Sequence, residues 1–317
     1  MKLFLMMLVT VVVYCTVTGQ APVDAAKKAA LRDTLAKDPV LFLKVASKAM
    51  KWEAASLPVH VAGPIYFVGT KGLASYLIKS SEGLIVLYTG MPSSGPMIEQ
   101  SIKKLGFNPK DIKLLITGHA HSDHVGGMQY LQKISGAKIA LMEEEKDLIE
   151  SGGKTDFHYG DYPVYYYPPV TVDRSLKDND VVELGNVKLT ALLTPGHTKG
   201  GTTWVMNITD QGKKYKVVFP DGISINPGYR VSVNPSYPGI QQNYMRTLDI
   251  LEGLKPDIWL PSHTDFFDFE AKSKKKVAKG NNAFVDPQGY KKYIAGARTT
   301  YNQVIKSEML ATQKINN

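Results

Sequence analysis

Four side chains that can bind a metal ion lie within one run of six residues, His119-Ala120-His121-Ser122-Asp123-His124. The chain has only seven histidines in 317 residues, so three in this run are a marked concentration. Histidine nitrogens and aspartate oxygens are common zinc ligands. His119 and His121 would project to the same side of an extended segment, whereas Asp123 and His124 follow in the turn and can face a second ion. The run predicts a metal site.

Two further histidines follow strand-like segments much later in the chain. His197 stands in Thr194-Pro195-Gly196-His197, and His263 stands in Leu260-Pro261-Ser262-His263. Catalytic zinc usually has three protein ligands and one open position, so each ion held by the first run needs one more ligand. His197 and His263 are the candidates. We expect the other two histidines, His60 and His158, to be surface or supporting residues.

The first half of the chain is predicted to begin with two helices over 23–55 and to continue as strands from Val59. A helix over about 95–105 then leads to a short buried strand, Ile112 to Ile116. The histidine run begins just after that strand. Because loops converge at the carboxyl ends of strands in open α/β sheets, this edge is where a ligand site is expected.

In the second half of the chain, predicted strands are again followed by predicted helices. Strands are predicted at 181–183, 187–193, 202–206 and 215–219, followed by helices over about 242–254 and from Pro287 onward. The basic run Lys272 to Lys276 is predicted to be a solvated loop. No long Pro/Gly/Ser-rich linker divides the chain. The pattern indicates a layered α/β sandwich and one domain over residues 20–317.

The amino-terminal segment predicts export. Lys2 is followed by an unbroken apolar stretch, Leu3 to Val13, and then by small and polar residues, which is typical of a signal peptide over residues 1–19. The only cysteine, Cys15, lies in this segment, so the mature chain would have neither disulfides nor thiolate ligands. The whole chain has a net charge of +9, and the mature chain would carry one positive charge fewer because Lys2 is removed. This charge permits contact with nucleic acid but does not require it.

These motifs together resemble the metallo-β-lactamase superfamily. The histidine run followed by Gly126-Gly127 and the later Pro-Gly-His197 carry the general resemblance. Finer features are similar to the third, cysteine-free subclass. They are Asp156-Phe157-His158-Tyr159-Gly160-Asp161, Thr194-Pro195-Gly196-His197-Thr198, Asp221-Gly222-Ile223-Ser224 and Pro227-Gly228-Tyr229. The resemblance implies a four-layer αββα sandwich.

The same resemblance implies a site with two zinc ions, Zn(2+). His119, His121 and His197 would hold the first ion, and Asp123, His124 and His263 the second. A hydroxide shared by the two ions would hydrolyse the amide bond of a β-lactam and give antibiotic resistance. Asp123 would also be catalytic as a proton acceptor.

Further residues take supporting roles in this interpretation. Ser224 and Tyr229 would bind the substrate, and Asp221 would lie close behind the metal ligands. The protein is expected to be a periplasmic or secreted monomer that acts on a small-molecule β-lactam, with no nucleic-acid partner and no stable membrane association.

A different hydrolase on the same scaffold stays open as the alternative. In related lactonases and thioester hydrolases an aspartate at the place of Asp221 bridges both metals, so Asp221 fits either interpretation. Two departures also bear on the site. Many superfamily members carry an aspartate where this chain has Tyr88-Thr89-Gly90, which predicts a missing carboxylate and a looser metal site. Gly222 replaces a serine that is frequent in the subclass, so a hydroxyl that positions water is expected to be missing.

Overall fold

The computed structural model describes residues 25–279 and 283–315. The predicted signal peptide and Cys15 lie outside the described residues. Within the described part, none of the helices combines the length and the apolar character needed to cross a bilayer.

Seven strands form the first sheet, in the order β1 to β7. Their bounds are β1 Val59–Ala62, β2 Ile65–Phe67, β3 Tyr76–Ser80, β4 Gly83–Leu87, β5 Ile112–Ile116, β6 Lys138–Met142 and β7 Arg174–Leu176. The pairs from β1 to β4 are antiparallel, whereas those from β4 to β7 are parallel. The histidine run therefore leaves the carboxyl end of a central parallel strand, as predicted.

Five strands form the second sheet, in the order β12-β11-β10-β9-β8. Their bounds are β8 Val181–Leu184, β9 Val187–Leu193, β10 Thr202–Asp210, β11 Lys213–Phe219 and β12 Ile258–Trp259. Only the pair β11 and β12 is parallel. The short strand β7 was not predicted, because three residues carry too little periodicity to detect. The strand β12 corresponds to the strand-like segment expected before His263.

Helices cover both sheets. Their bounds are α1 Ala25–Lys37, α2 Pro39–Ala49, α3 Ser94–Lys104, α4 Ser122–Val125, α5 Met128–Ser135, α6 Lys146–Glu150, α7 Ile240–Leu254, α8 Phe269–Lys279 and α9 Pro287–Ile315. Local sequence sets the ends of several of them. For example, the side chain of Asp38 accepts a hydrogen bond from Leu41 N at the start of α2, and Gly136 ends α5 in the left-handed conformation.

The core lies in layers because alternate residues of the central strands face opposite sides of the sheet. In β4, Ile85 and Leu87 face the second sheet, where they join Trp204 and Phe219. The intervening Val86 belongs to a separate cluster that packs under the helices α3 and α5. These two sheets flanked by helices confirm the predicted four-layer αββα sandwich.

The prediction that the basic run is a loop was wrong. Residues 272–276 lie within α8. Lys272 is half-buried, donates a hydrogen bond to Asp286 and lies over the rings of Trp259 and Phe267. Contacts between distant residues leave no local pattern in a lysine-rich segment. The sequence therefore did not show that this segment packs as a helix.

Candidate metal centre

The predicted metal ligands meet in one pocket although they come from distant parts of the chain. The histidine run follows β5, His197 follows β9, and His263 follows β12. All of them line the same pocket. Four of these histidines are buried, with at most 8% of the residue surface exposed: His119, His121, His124 and His197. The fold thus brings together the residues that the sequence singled out.

The first group is formed by His119, His121 and His197. Their candidate ligand atoms all lie within 4.8 Å of one another. His121 Nδ1 is 3.1 Å from His197 Nε2, so these two nitrogens face the same point. This is the arrangement expected of three ligands around one ion.

The second group is centred on Asp123. His119, Asp123 and His124 also offer ligand atoms within 4.8 Å of one another. Asp123 Oδ2 lies 3.2 Å from His124 Nε2 and 3.6 Å from His263 Nε2. The compact group thus includes His119, and His263 approaches it from the side of Asp123. The two groups adjoin at His119, which places two metal positions next to each other.

The chemistry of these side chains fits zinc. His119 Nε2 is buried and has no hydrogen-bond partner within the described part of the protein, as expected of a nitrogen aimed at an ion. Burial holds the pKa of His119 and His197 well below the ordinary value and lowers the pKa of His263 to about 4. Neutral imidazole is the form that binds metal. The set is made of nitrogen and carboxylate oxygen ligands, which zinc accepts.

Asp156 orients one of these ligands, a role that the sequence did not reveal. Its Oδ2 lies 3.0 Å from His121 Nε2, and its Oδ1 accepts the backbone N–H groups of His158 and Tyr159. Burial would raise the pKa of Asp156, but these partners lower it to about 2. The carboxylate therefore turns the other nitrogen of His121, Nδ1, toward His197.

A second carboxylate, that of Asp221, contacts His119. Asp221 Oδ1 is 2.9 Å from His119 Nδ1, and Tyr88 Oη donates a 3.0 Å hydrogen bond to Asp221 Oδ2. The prediction that Asp221 lies close behind the ligands agrees with this geometry. The turn Tyr88-Thr89-Gly90 itself has no carboxylate, and the one that contacts His119 comes from the other sheet. The looser metal site stays a prediction.

Glu145 connects the loop that carries His119 and His121 with the loop that carries His197. The sequence did not indicate this role either. It is 1% exposed, and its two oxygens accept the backbone N–H of Ala120 at 2.7 Å and of Gly200 at 2.8 Å. Burial raises its pKa to about 7. No local signal separates Glu145 from the two exposed glutamates that precede it.

The pocket above the ligands has mixed walls. Helix α2 and the segment that follows it contribute apolar side chains, among them Phe42 and Trp52, and Tyr159 and Tyr165 stack at 4.1 Å on the loop after α6. Ser224 and Asn226 provide polar groups. The carbonyl oxygen and the hydroxyl of Ser224 lie 2.9 Å and 3.1 Å from His197 Nδ1.

Tyr229, which was predicted to bind the substrate, lies behind His197. It is 4% exposed, it is not among the residues that line the pocket, and its hydroxyl donates a hydrogen bond to His197 O. Its ring packs behind His197 instead, with a centroid separation of 5.9 Å. The Pro227-Gly228-Tyr229 motif was noticed for its resemblance, which carried no information on which way the tyrosine points.

Gly222 has a backbone reason for being glycine. Its φ is +86°, and a Cβ there would overlap Thr194 O. A serine at this position is therefore incompatible with the local backbone. The hydroxyl missing at Gly222 reflects the path of the turn that carries Asp221.

Comparisons with known proteins agree with this geometry. The metallo-β-lactamase superfamily profile matches residues 69–210. The FEZ-1 metallo-β-lactamase from Legionella gormanii is 42% identical, with a TM-score of 0.79 and coverage of 81% of this chain and 98% of that one. The chain belongs to the metallo-β-lactamase superfamily.

Two other solved superfamily members are similar over comparable lengths. The subclass B3 enzyme BJP-1 of Bradyrhizobium japonicum is 34% identical, with a TM-score of 0.79 over 84% of this chain and 99% of that one. The class B3 di-zinc enzyme LRA-12, from an Alaskan soil metagenome, is 34% identical, with a TM-score of 0.72 over 80% and 95%.

Curated superfamily relatives match over shorter stretches. A probable metallo-hydrolase of Burkholderia pseudomallei is 30% identical over 34% of this chain and 36% of its own length. The acyl-coenzyme A thioesterase MBLAC2 of Gallus gallus is 24% identical over 52% of this chain and 61% of its own length. The matched regions thus span less than two thirds of both relatives.

Proposed function

We propose that this metallo-β-lactamase superfamily hydrolase is a zinc-dependent β-lactamase that opens the amide bond of β-lactam antibiotics. One observation carries the proposal. The cysteine-free ligand groups around His119 and Asp123 stand in a chain that is similar to subclass B3 β-lactamases over nearly their whole length.

His119, His121 and His197 would hold one zinc ion, and Asp123, His124 and His263 the other. When bound, the two ions supply an activated water and stabilise the negative charge that develops on the substrate. Asp123 is held between His124 and His263, so its carboxylate is placed to accept a proton from the attacking water. Asp156 and Asp221 keep His121 and His119 in fixed ring orientations.

The walls of the pocket suggest how a substrate would be held. Ser224 lies beside His197 and offers a hydroxyl to the carboxylate that β-lactams carry. Phe42, Trp52 and the stacked Tyr159 and Tyr165 supply an apolar surface for the substrate's side groups and exclude water from the site. Tyr229 supports His197 from behind and has no substrate contact in this proposal.

A thioester or lactone hydrolase is the second candidate, favoured by the similarity to the acyl-coenzyme A thioesterase of Gallus gallus. In that interpretation Asp221 would bridge the metals. Here both oxygens of Asp221 are directed to protein donors, namely His119 Nδ1 and Tyr88 Oη. The geometry therefore favours the β-lactamase.

The test compares substrates on one zinc-loaded preparation. We expect hydrolysis of nitrocefin, loss of that activity with a chelator, and recovery with zinc, together with slow or no hydrolysis of acyl-coenzyme A and lactone substrates. Turnover of a thioester or lactone with no turnover of any β-lactam would reject the β-lactamase and select the second candidate.

We also propose that the protein acts after export, in the periplasm or outside the cell, where it would confer antibiotic resistance as a monomer. The apolar amino-terminal segment supports export. Expression of residues 1–317, and of the same chain without residues 1–19, in a β-lactam-sensitive bacterium tests this. Resistance that does not depend on this segment would contradict it.

A further inference from the structure

A buried chain of three side chains connects the two sheets directly beneath the metal centre. Tyr88 follows β4 of the first sheet and Asp221 follows β11 of the second. Tyr88 contacts Asp221, and Asp221 contacts His119. We propose that Tyr88 and Asp221 act as a positioning pair that fixes the ring of His119 as a metal ligand through Nε2, with the carboxylate supplied by the second sheet. This inference rests on the metal-binding role of His119 in the proposed function.

Every hydrogen-bonding group of Asp221 is directed to a partner in the protein. Oδ1 receives His119 Nδ1 at 2.9 Å and the backbone N–H of Gly222 at 2.7 Å, whereas Oδ2 receives Tyr88 Oη at 3.0 Å. The backbone N–H of Asp221 donates to Thr203 Oγ1 at 3.1 Å. Both carboxylate oxygens thus have hydrogen-bond partners, and the carboxylate is oriented so that Oδ1 accepts a hydrogen bond from His119.

This contact determines which nitrogen of His119 can bind an ion. A carboxylate at Nδ1 requires the proton on that nitrogen, which leaves the lone pair on Nε2. Nε2 is the buried atom without a hydrogen-bond partner in the described part of the chain. Two independent features, the partner at one nitrogen and the unpartnered atom at the other, therefore agree.

The backbone is shaped so that the three side chains can meet. Tyr88 has a φ of 62°, in the left-handed region that a tyrosine rarely adopts. Gly118 lies directly before His119, and a Cβ at Gly118 would overlap Asp221 Oδ2 and lie 2.6 Å from Tyr88 Oη. An uncommon backbone conformation and an obligatory glycine both serve this one contact, which is how strain is retained at functional sites.

The pair also explains how the chain manages without a carboxylate in the turn Tyr88-Thr89-Gly90. The partner of His119 Nδ1 is the carboxylate of Asp221, and the tyrosine has no carboxylate to offer in its place. It instead fills the space below the ligands and donates its hydroxyl to the carboxylate that takes that role. We therefore expect residues 88 and 221 to act as a unit, so that loss of either weakens metal binding.

The experiment measures zinc binding rather than activity. Asp221→Asn keeps the size of the side chain and removes its charge, and Tyr88→Phe removes only the hydroxyl. Tyr290→Phe is the matched control, because its buried hydroxyl donates to Leu251 O away from the site. Zinc affinity is measured on the purified chain by competition with a chromophoric chelator, and the ligand field by the absorption spectrum after cobalt(II) substitution.

We expect Asp221→Asn to lower zinc affinity by about 10- to 100-fold and Tyr88→Phe by about 3- to 10-fold, each with an altered cobalt spectrum. Tyr290→Phe should match the parent in both zinc affinity and cobalt spectrum.

The proposal would be overturned if both site variants had the zinc affinity and cobalt spectrum of the parent. It would also be overturned by a large effect of Asp221→Asn with none from Tyr88→Phe, which is the result expected if Asp221 were a metal bridge. If Asp221→Asn does not fold, Tyr88→Phe decides alone. Failure of the β-lactamase proposal would show differently, as a parent chain that binds zinc normally but does not hydrolyse β-lactams.

Discussion

Glu145 Oε2 accepts a 2.7 Å hydrogen bond from the backbone N–H of Ala120, the residue that separates the proposed ligands His119 and His121. The other oxygen of Glu145 accepts the N–H of Gly200, three residues after His197. One buried side chain thus sets the distance between two ligand-bearing loops. This is a structural constraint on the metal centre that involves no direct contact with a metal.

Replacement of this carboxylate should loosen the centre. In Glu145→Ala two buried N–H groups lose their acceptor, at a cost of about 1 to 3 kcal/mol each, so we expect a lower free energy of unfolding and weaker zinc binding. Chemical denaturation and chelator competition measure the two effects. The exposed Glu144→Ala is the control. Equal zinc affinity and stability in both variants would show that Glu145 does not hold the loops.

The pocket wall depends on a contact between the loop after α6 and the start of helix α2. Tyr165 donates a 2.6 Å hydrogen bond to Pro39 O, and its ring lines the pocket. We expect Tyr165→Phe to raise KM for β-lactams about 3- to 10-fold with little change in kcat, since one buried hydrogen bond contributes about 1 kcal/mol. Tyr166→Phe is the control, because its hydroxyl donates to Gly160 O outside the pocket wall. A change confined to kcat would contradict a role in substrate binding.

The second metal position depends on His263. We expect His263→Ala to retain about one zinc ion per chain, because the group His119, His121 and His197 stays complete. His60→Ala serves as the control, since His60 Nε2 is bonded to Gly63 O instead of lining the pocket. Metal analysis after dialysis gives the count. Two tightly bound ions in His263→Ala would remove His263 from the ligand set.

Glu308 on α9 gives stability a pH dependence. Its carboxylate accepts the N–H groups of Val231, Ser232 and Val233. Burial would raise its pKa, but these hydrogen bonds lower it. The contribution is therefore complete above the pKa of the unfolded chain and is lost as the pH falls through the lower pKa of the folded chain.

We expect Glu308→Gln to lower the free energy of unfolding of the metal-free chain by about 1 kcal/mol at neutral pH, a value that allows for solvent screening. The difference from the parent should shrink as the pH falls from about 7 to about 3. Urea unfolding across this range measures it, with the exposed Glu82→Gln as the control. A difference that grows toward low pH would contradict the assigned direction.

The sequence was sufficient to single out the histidines and the aspartate that meet in the pocket, but not the residues that hold them in place. The histidine run, His197 and His263 could be found because scarce residue types recur at meaningful spacings and in turns after strands. The larger strands and helices could be predicted because they carry clear periodicity. Their αββα arrangement was implied by the resemblance to a known family.

The supporting residues depend on contacts between distant segments, which no local pattern records. Tyr88 and Asp221 are 133 residues apart, and Glu145 lies 55 residues from Gly200. The loop predicted around Lys272 was wrong for the same reason, and the buried position of Tyr229 also depends on such contacts. The spacing of residues in the sequence indicates which side chains could bind a metal ion. Packing between the sheets determines where each side chain points.

The central claim is that two zinc ions in this site drive β-lactam hydrolysis. The most direct measurement titrates zinc into metal-free protein and follows bound metal and nitrocefin turnover together. We predict that turnover rises with bound zinc and reaches its maximum at about two ions per chain. Binding of two ions without β-lactam turnover, or turnover that is unchanged when the metal is removed, would contradict the account.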